Sequence, residues 1–289
     1  RAGQFAQDDH VVKDRTVPDD TEYSTQWHHQ NIDSEGAWDV TTGGVTATGD
    51  TIVVCIIENA DLPHPDLIGN AWYNFQEIPN NSLDDDANGY VDDFEGWNPQ
   101  NDNDNVYGGS HGTEVAGMIG AKGNNAEGVA GANWDVKMMV VTRQGVGEAQ
   151  VIESYTYPLV MRRIYNQTGG GKGAFVVATN ASWGIDNADP ADYPLWCALY
   201  DTLGTEGVLN CGATANNNVD IDAVGDMPTA CSSDFMISVT ATNTSDMRTF
   251  SGYGATTIDV GAPGDNVYTT EIGGGYASTS GTSFASPLT

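Results

Sequence analysis

The sequence predicts an α/β fold: a mostly parallel central sheet in three layers, with helices on both faces. Three features point there. Short, solid apolar runs recur along the 289 residues. They alternate with longer stretches of helical period. The apolar content, 39% of residues, is enough for a sizeable core and too high for a disordered chain. The runs at 52–57, 136–141, 174–178, 207–211, 235–239 and 257–260 are too short for helices. They carry no apolar–polar alternation, as expected of parallel strands buried on both sides. The stretches 113–119, 150–165 and 194–203 have the apolar spacing of helices. Residues 1–25 are polar and unpatterned, and read as a tail or the remnant of a leader; residues 26–289 read as the folded domain.

Composition narrows the function. Forty acidic residues against ten basic ones give a net charge of -30. Such a surface repels nucleic acid and anionic membranes, and suits multivalent cations or a salty medium. No apolar run approaches the roughly 18 residues of a membrane span. The chain starts at Arg1 with neither an initiator Met nor a signal-peptide pattern, as a processed product would. The four cysteines, Cys55, Cys197, Cys211 and Cys231, follow no metal spacing. Cys55 lies within an apolar run and is expected to pack as a small hydrophobe. A disulfide among the other three is open, and the sequence does not choose the pair.

The segment 73–110 is a long loop without periodicity, which calls for a function or an internal tether. Within it lies DDDANGYVDDFE, residues 84–95. Counted from Asp84, oxygen-bearing side chains fall at positions 1, 3, 5, 9 and 12: Asp84, Asp86, Asn88, Asp92 and Glu95. Gly89 holds position 6, where the chain must turn sharply, and Tyr90 at position 7 offers a backbone carbonyl. This is a calcium-loop pattern, because a hard divalent ion takes six to eight oxygen ligands. Without a cation, six carboxylates within twelve residues repel one another. The flanks are not helical in pattern, so a calcium loop is expected rather than a helix–loop–helix hand.

Two further motifs carry polar residues between glycines at the entrance of small-residue helices: GGSHGTEVAGMIGA around His111 and SGTSFASP around Ser283. A serine hydroxyl is a poor nucleophile until a neighbouring imidazole takes its proton. With HPDL at 64–67 and the chain order acid, histidine, serine, these motifs resemble the subtilisin-like serine peptidases. The resemblance runs from about Gln26 to the end. It implies that family's three-layer fold, with His111 as general base and Ser283 as nucleophile. GVLNCGATANNNVDID is similar to the family's oxyanion segment, which implies Asn216 as the side-chain donor; Ala215 replaces the usual glycine, and Asn217 stands as an alternative. ASWG implies Ser182, Trp183 and Gly184 as the substrate-pairing edge. Asp66 of HPDL, with Asn125 in AKGNNAEGVAG, resembles another calcium site of the family.

The acid is where the sequence departs. The family's aspartate stands seven residues before the HPDL histidine, and that position is Ile57. One reading has a residue deleted between strand and turn, so that Glu58 takes the role. The other has the aspartate lost and Glu58 facing solvent. The first implies a secreted, extracellular, calcium-stabilised serine endopeptidase, monomeric and acting on polypeptides. The second implies a catalytically impaired relative, a calcium-dependent peptide-binding module. A calcium-dependent adhesive domain, resting on charge and loop alone, leaves His111 and Ser283 unexplained. NNNVDIDAVGD, which begins at Asn216, carries Asp220, Asp222 and Asp226 near the pocket wall that the resemblance implies; one facing the pocket would favour basic side chains before the cut, and the alternative is that all three face solvent. The chain ends six residues after Ser283, where the family continues, so the C-terminal part of the domain is expected to be missing.

Overall fold

The structure, a computed structural model, describes residues 16–143 and 145–289. Ten strands are present among them: β1 (Val53–Ile56), β2 (Lys137–Val140), β3 (Val176–Ala181), β4 (Ile185–Asp186), β5 (Leu209–Ala213), β6 (Asp226–Met227), β7 (Met236–Thr242), β8 (Val260–Pro263), β9 (Val267–Glu271) and β10 (Gly275–Thr279). The α-helices are α1 (Trp27–Asn31), α2 (Ser34–Trp38), α3 (Ser110–Gly120), α4 (Glu148–Thr168), α5 (Pro194–Thr205), α6 (Ile221–Val224) and α7 (Thr282–Ala285). Six strands form one sheet in the order β2-β1-β3-β5-β7-β8, with every pairing parallel. The chain moves from β1 outward to β2, then returns to the other side of β1 as β3. That reversal opens a crevice beyond the carboxyl ends of β1 and β3, where open α/β sheets place their sites.

Alternation along β1 shows the layers. Val53 and Cys55 face one core, packed with Val151, Tyr155, Tyr157 and Met161 of α4 and with Trp196 and Tyr200 of α5. Ile56 faces the other, with Val115, Met118 and Ile119 of α3 and with Phe284 of α7. Strands buried on both sides must be apolar on both sides, hence the unbroken runs in the sequence.

Several elements differ from the sequence reading. β3 extends to Ala181 and β5 to Ala213, further than their apolar runs. The added polar residues are satisfied internally: Thr179 donates to Asn210 at 2.7 Å, and Ser286 donates to Asn180 at 2.8 Å. The β9–β10 hairpin and the short β4–β6 pair have no apolar run to announce them. The expected tail boundary at residue 25 is too late. Tyr23 is buried against Trp38, Ala130 and Trp134, and Glu22 N–H donates to Gly128 at 2.7 Å. Three of these partners, Gly128, Ala130 and Trp134, are more than a hundred residues away, so no local pattern reveals them; residues 1–15 of that expected tail lie outside the described residues. The cysteine choice is Cys197–Cys231, while Cys55 and Cys211 are buried thiols.

Candidate active site

β1 ends at Ile56, and the next residue continues its pairing: Ile57 N–H donates to Asn180 at 3.1 Å. Ile57 is fully buried in the core beneath α4 and α5. Alternation along an extended chain then sends Glu58 the opposite way, toward α3. His111 is the second residue of α3, and its Nδ1 lies 2.8 and 2.9 Å from the two Glu58 carboxylate oxygens. The position where the family has its aspartate is thus core, and the neighbouring glutamate carries the contact to histidine. The glycines around His111 are required by this approach. A Cβ on Gly112 would lie 2.0 Å from the Asn59 carbonyl oxygen. One on Gly109, whose φ is +99°, would lie 2.7 Å from it.

Burial is the largest influence on the His111 ring and works against its charge, but the hydrogen bond and charge of Glu58, with Glu114 beyond, outweigh it and raise its pKa above the ordinary histidine value. Arg143 opposes that rise from nearby. It stacks over Trp183 at 4.6 Å and, with Glu58, Tyr107 and His111, lines a cavity of about 360 Å³. Nothing in the sequence singled out Arg143, since a lone arginine after a strand carries no pattern.

Ser283 sits in the first turn of α7, and the ring of the next residue, Phe284, is 5.6 Å from that of His111. The serine is locked to the end of β3 by two reciprocal bonds: Ser182 Oγ donates to the Ser283 carbonyl at 2.7 Å, and Ser283 Oγ donates to the Ser182 carbonyl at 3.0 Å. The second bond turns the hydroxyl proton toward Ser182 rather than His111. Asn216 also reaches this corner. Its side-chain oxygen accepts from Thr282 N at 2.8 Å and Thr282 Oγ1 at 3.0 Å, which leaves its NH₂ as the free donor beside Ser283. Asn217 instead donates to Asp186 at 3.0 Å. Trp183 Nε1 donates to the Ile57 carbonyl at 2.7 Å, which holds the end of β3 to the end of β1. Ser182, Trp183, Gly184, Asn216 and Ser283 line one pocket of about 60 Å³, with Asp186 and Asp226 on its walls. Asp220 and Asp222 are occupied elsewhere: Asp220 caps α6, and Asp222 accepts three backbone N–H groups of residues 255–257. A cavity of about 640 Å³ lies at the other end of the sheet around Val53, Lys137 and Phe175, away from these side chains.

The acidic loop does not gather as its spacing predicts. Asp84 and Asp86 converge with Glu77, which lies outside the twelve-residue pattern; carboxylate oxygens of all three fall within 4.8 Å of one another. Asn88 donates to Asp86 at 3.3 Å and to Asp93 at 2.8 Å, while the Tyr90 ring packs on Trp97 and Tyr157. Asp92 faces away, accepting from Asn81 and Ser82 N–H at 2.8 and 2.9 Å, and Glu95 lies beside Tyr107 and Asp104. As the sequence flanks suggest, no helix follows position 12, and without one nothing turns Glu95 back toward Asp84 and Asp86. Glu77 Oε2 is buried with no hydrogen-bond partner among the described residues. At the other expected site, Asp66 is fully buried and accepts from Asn125 Nδ2 at 2.8 Å and Val129 N at 2.9 Å. Asp20 stands close to it, and Asp20 Oδ1 is likewise buried and unpartnered. A buried carboxylate oxygen without a donor is costly, and the convergence of Glu77, Asp84 and Asp86 is a donor set that a hard cation fits. Glu77 and Asp20 escaped the sequence reading because each lies outside the motif beside which the fold places it.

Among the described residues no helix is long and apolar enough to cross a membrane. The chain is 27% identical over 322 residues to "Extracellular basic protease" of Dichelobacter nodosus, covering 98% of this chain and 49% of that protein. It is 28% identical over 291 residues to "Thermophilic serine proteinase" of Bacillus sp. (strain AK1), covering 98% and 60%. The chain thus spans about half the length of the curated relatives it matches. Among solved structures, a protease from Pseudoalteromonas arctica PAMC 21717 superposes with a TM-score of 0.69 at 23% identity, covering 94% of this chain and 84% of that one. The epidermin leader peptide processing serine protease of Staphylococcus aureus superposes with a TM-score of 0.66 at 19% identity, covering 95% and 70%. The sequence model of the subtilase family matches residues 49–289. A parallel six-stranded sheet with acid, histidine and serine gathered beyond its carboxyl ends, together with that match, places the chain in the subtilase family of serine peptidases.

Proposed function

We propose that the chain is a calcium-stabilised serine endopeptidase, exported from the cell, that cuts polypeptides through an acyl-enzyme. The observation that carries this reading is the contact of Glu58 with His111 Nδ1, at 2.8 Å, on a ring that lies 5.6 Å from that of Phe284, the residue after Ser283. That contact fixes the ring so that Nε2, the opposite nitrogen, is the one free to take a proton. Ser283 Oγ forms a bond to the scissile carbonyl carbon as its proton passes to Nε2, and the carbonyl electrons move onto oxygen. The Asn216 amide donates to that oxygen. Collapse of the intermediate breaks the C–N bond, His111 protonates the leaving amine, and water repeats the sequence on the ester. Before attack the Ser283 hydroxyl must rotate away from the Ser182 carbonyl.

Glu77, Asp84 and Asp86 would hold one calcium ion, and Asp20 and Asp66, with Asn125 hydrogen-bonded to Asp66, a second. Bound calcium supplies positive charge that ties these acidic loops together. Export is supported by relatives named as extracellular proteases.

The test is a fluorophosphonate probe followed by peptide mapping, alongside hydrolysis of peptide anilides. The reading expects one label on Ser283, with labelling and hydrolysis both lost in Ser283→Ala. A protein that binds peptides yet is neither labelled nor active is the peptide-binding relative instead.

A further inference from the structure

The pocket beside Ser283 has a floor that a protease of loose specificity does not need. Asp226 lines it and is 1% exposed. Its hydrogen bonds all fall on one oxygen: Oδ2 accepts from Thr214 Oγ1 at 2.9 Å, from Ala215 N at 3.2 Å and from Thr229 Oγ1. Oδ1 takes none among the described residues, although it belongs to a buried side chain on the pocket wall. A second carboxylate, Asp186, lines the same pocket and is close enough to Asp226 to disfavour its ionisation. The two are brought together by strand pairing: β4 and β6 run antiparallel with Asp186 opposite Asp226. No cationic side chain lines this pocket. Like charges directly opposite on paired strands are destabilising, so the arrangement asks for a positive partner from outside.

The position of the pocket says which part of a substrate would supply it. Ser283 and Asn216 both lie on its rim. A carbonyl carbon within reach of the serine, with its oxygen toward the asparagine amide, leaves the side chain of that same residue pointing between the strand ends that carry Ser182–Gly184 and Ala213–Ala215. A volume of about 60 Å³ holds a few water-sized groups, which suits an unbranched chain better than an indole ring.

We propose that Asp226, assisted by Asp186, is the specificity-determining residue of this site, and that the peptidase cuts after lysine or arginine. The proposal rests on the peptidase reading above. Asp226 acts here on the substrate side chain, not on the reacting atoms.

The experiment compares kcat/KM for peptide anilides differing only in the residue before the cut: Lys, Arg, Gln, Leu and Phe. Fluorophosphonate labelling of Ser283 is followed in the same samples, with and without benzamidine. The expected result is a preference for Lys or Arg over Gln of roughly 10- to 100-fold, the effect of a charge-assisted hydrogen bond, with labelling slowed by benzamidine. Asp226→Asn should reduce the Lys/Gln ratio by a similar factor. Because Asp226 is buried and could be needed for folding, Asp186→Asn, at an exposed position, provides the second arm and should reduce the same ratio severalfold. A labelled, active enzyme that prefers Leu or Phe, or whose Lys/Gln ratio is unmoved in Asp186→Asn and in a folded Asp226→Asn, overturns this proposal and leaves the peptidase reading standing. A protein that neither labels nor cleaves any of the five overturns both.

Discussion

At the scale of single residues, the site turns on a carboxylate displaced by one position. Ile57 fills the core, and Glu58 spends its extra methylene in reaching His111 from the following residue. The geometry has a pH signature. His111 has its pKa raised by Glu58, net of burial, so the neutral ring required of a general base appears only at higher pH than for an ordinary histidine. The acid limb of kcat/KM is therefore expected above pH 6.5, the ordinary histidine value. An NMR titration of the His111 ring should give the same inflection, and a midpoint below 6.5 would contradict it. The linkage to stability has a fixed sign. A histidine raised on folding contributes stability that is fully present below its unfolded pKa and lost as pH rises through the folded one. Asp226 titrates in the range of function too, since burial pushes its carboxyl up to about 6 and Asp186 adds to the rise. The Lys/Gln ratio should accordingly grow as pH rises through about 6, once His111 ionisation, common to both substrates, has cancelled from the ratio.

Secondary-structure elements present these residues in an order the sequence shows only in part. The unbroken apolar runs disclosed β1, β2 and β7, because a strand covered on both faces has little freedom in composition. The motifs at His111 and Ser283 were legible because glycine and small residues are forced where segments cross closely, as Gly112 is by the Asn59 carbonyl. The pairing of Glu58 with His111 was not settled but stood as one of two readings, since period alone does not say whether a strand's last side chain faces core or cleft. Nor were β4 and β6, two residues each, whose antiparallel contact places Asp186 opposite Asp226. The disulfide from Cys197 of α5 to Cys231, just after β6, fastens this pocket wall to a helix of the core. Reduction should cost roughly 2–4 kcal/mol in stability and raise KM more than it lowers kcat, because the pocket wall loosens while Glu58 and His111 stay in place. Thermal melts and kinetics before and after reduction check this; an unchanged melting temperature with the bond open would count against it.

Across the whole molecule, a net charge of -30 sets the conditions under which the fold persists. Self-repulsion at that charge destabilises the compact state. The structure concentrates part of it in two places, around Glu77 with Asp84 and Asp86, and around Asp20 with Asp66. Calcium should therefore raise the melting temperature more than sodium at equal ionic strength, and chelation should lower it and expose 73–110 to proteolytic nicking. A ligand at one hundred times its Kd adds about 2.7 kcal/mol. Glu77→Gln should shrink the calcium increment with little effect on the melting temperature in chelator. Equal responses to calcium and sodium would remove calcium from the account.

The central claim is that Glu58 does the work of the family's aspartate, and the most direct measurement is the rate at which a fluorophosphonate acylates Ser283 in the parent chain and in Glu58→Gln. Glutamine keeps the shape but cannot stabilise the imidazolium, and it can hold the wrong tautomer. The account predicts rapid single labelling of the parent and a fall of about 10⁴-fold in Glu58→Gln, the scale set by loss of the triad carboxylate in other serine peptidases, with an unchanged melting temperature. Equal rates in the two proteins would contradict it, as would an inert parent in which Ile57→Asp gains reactivity.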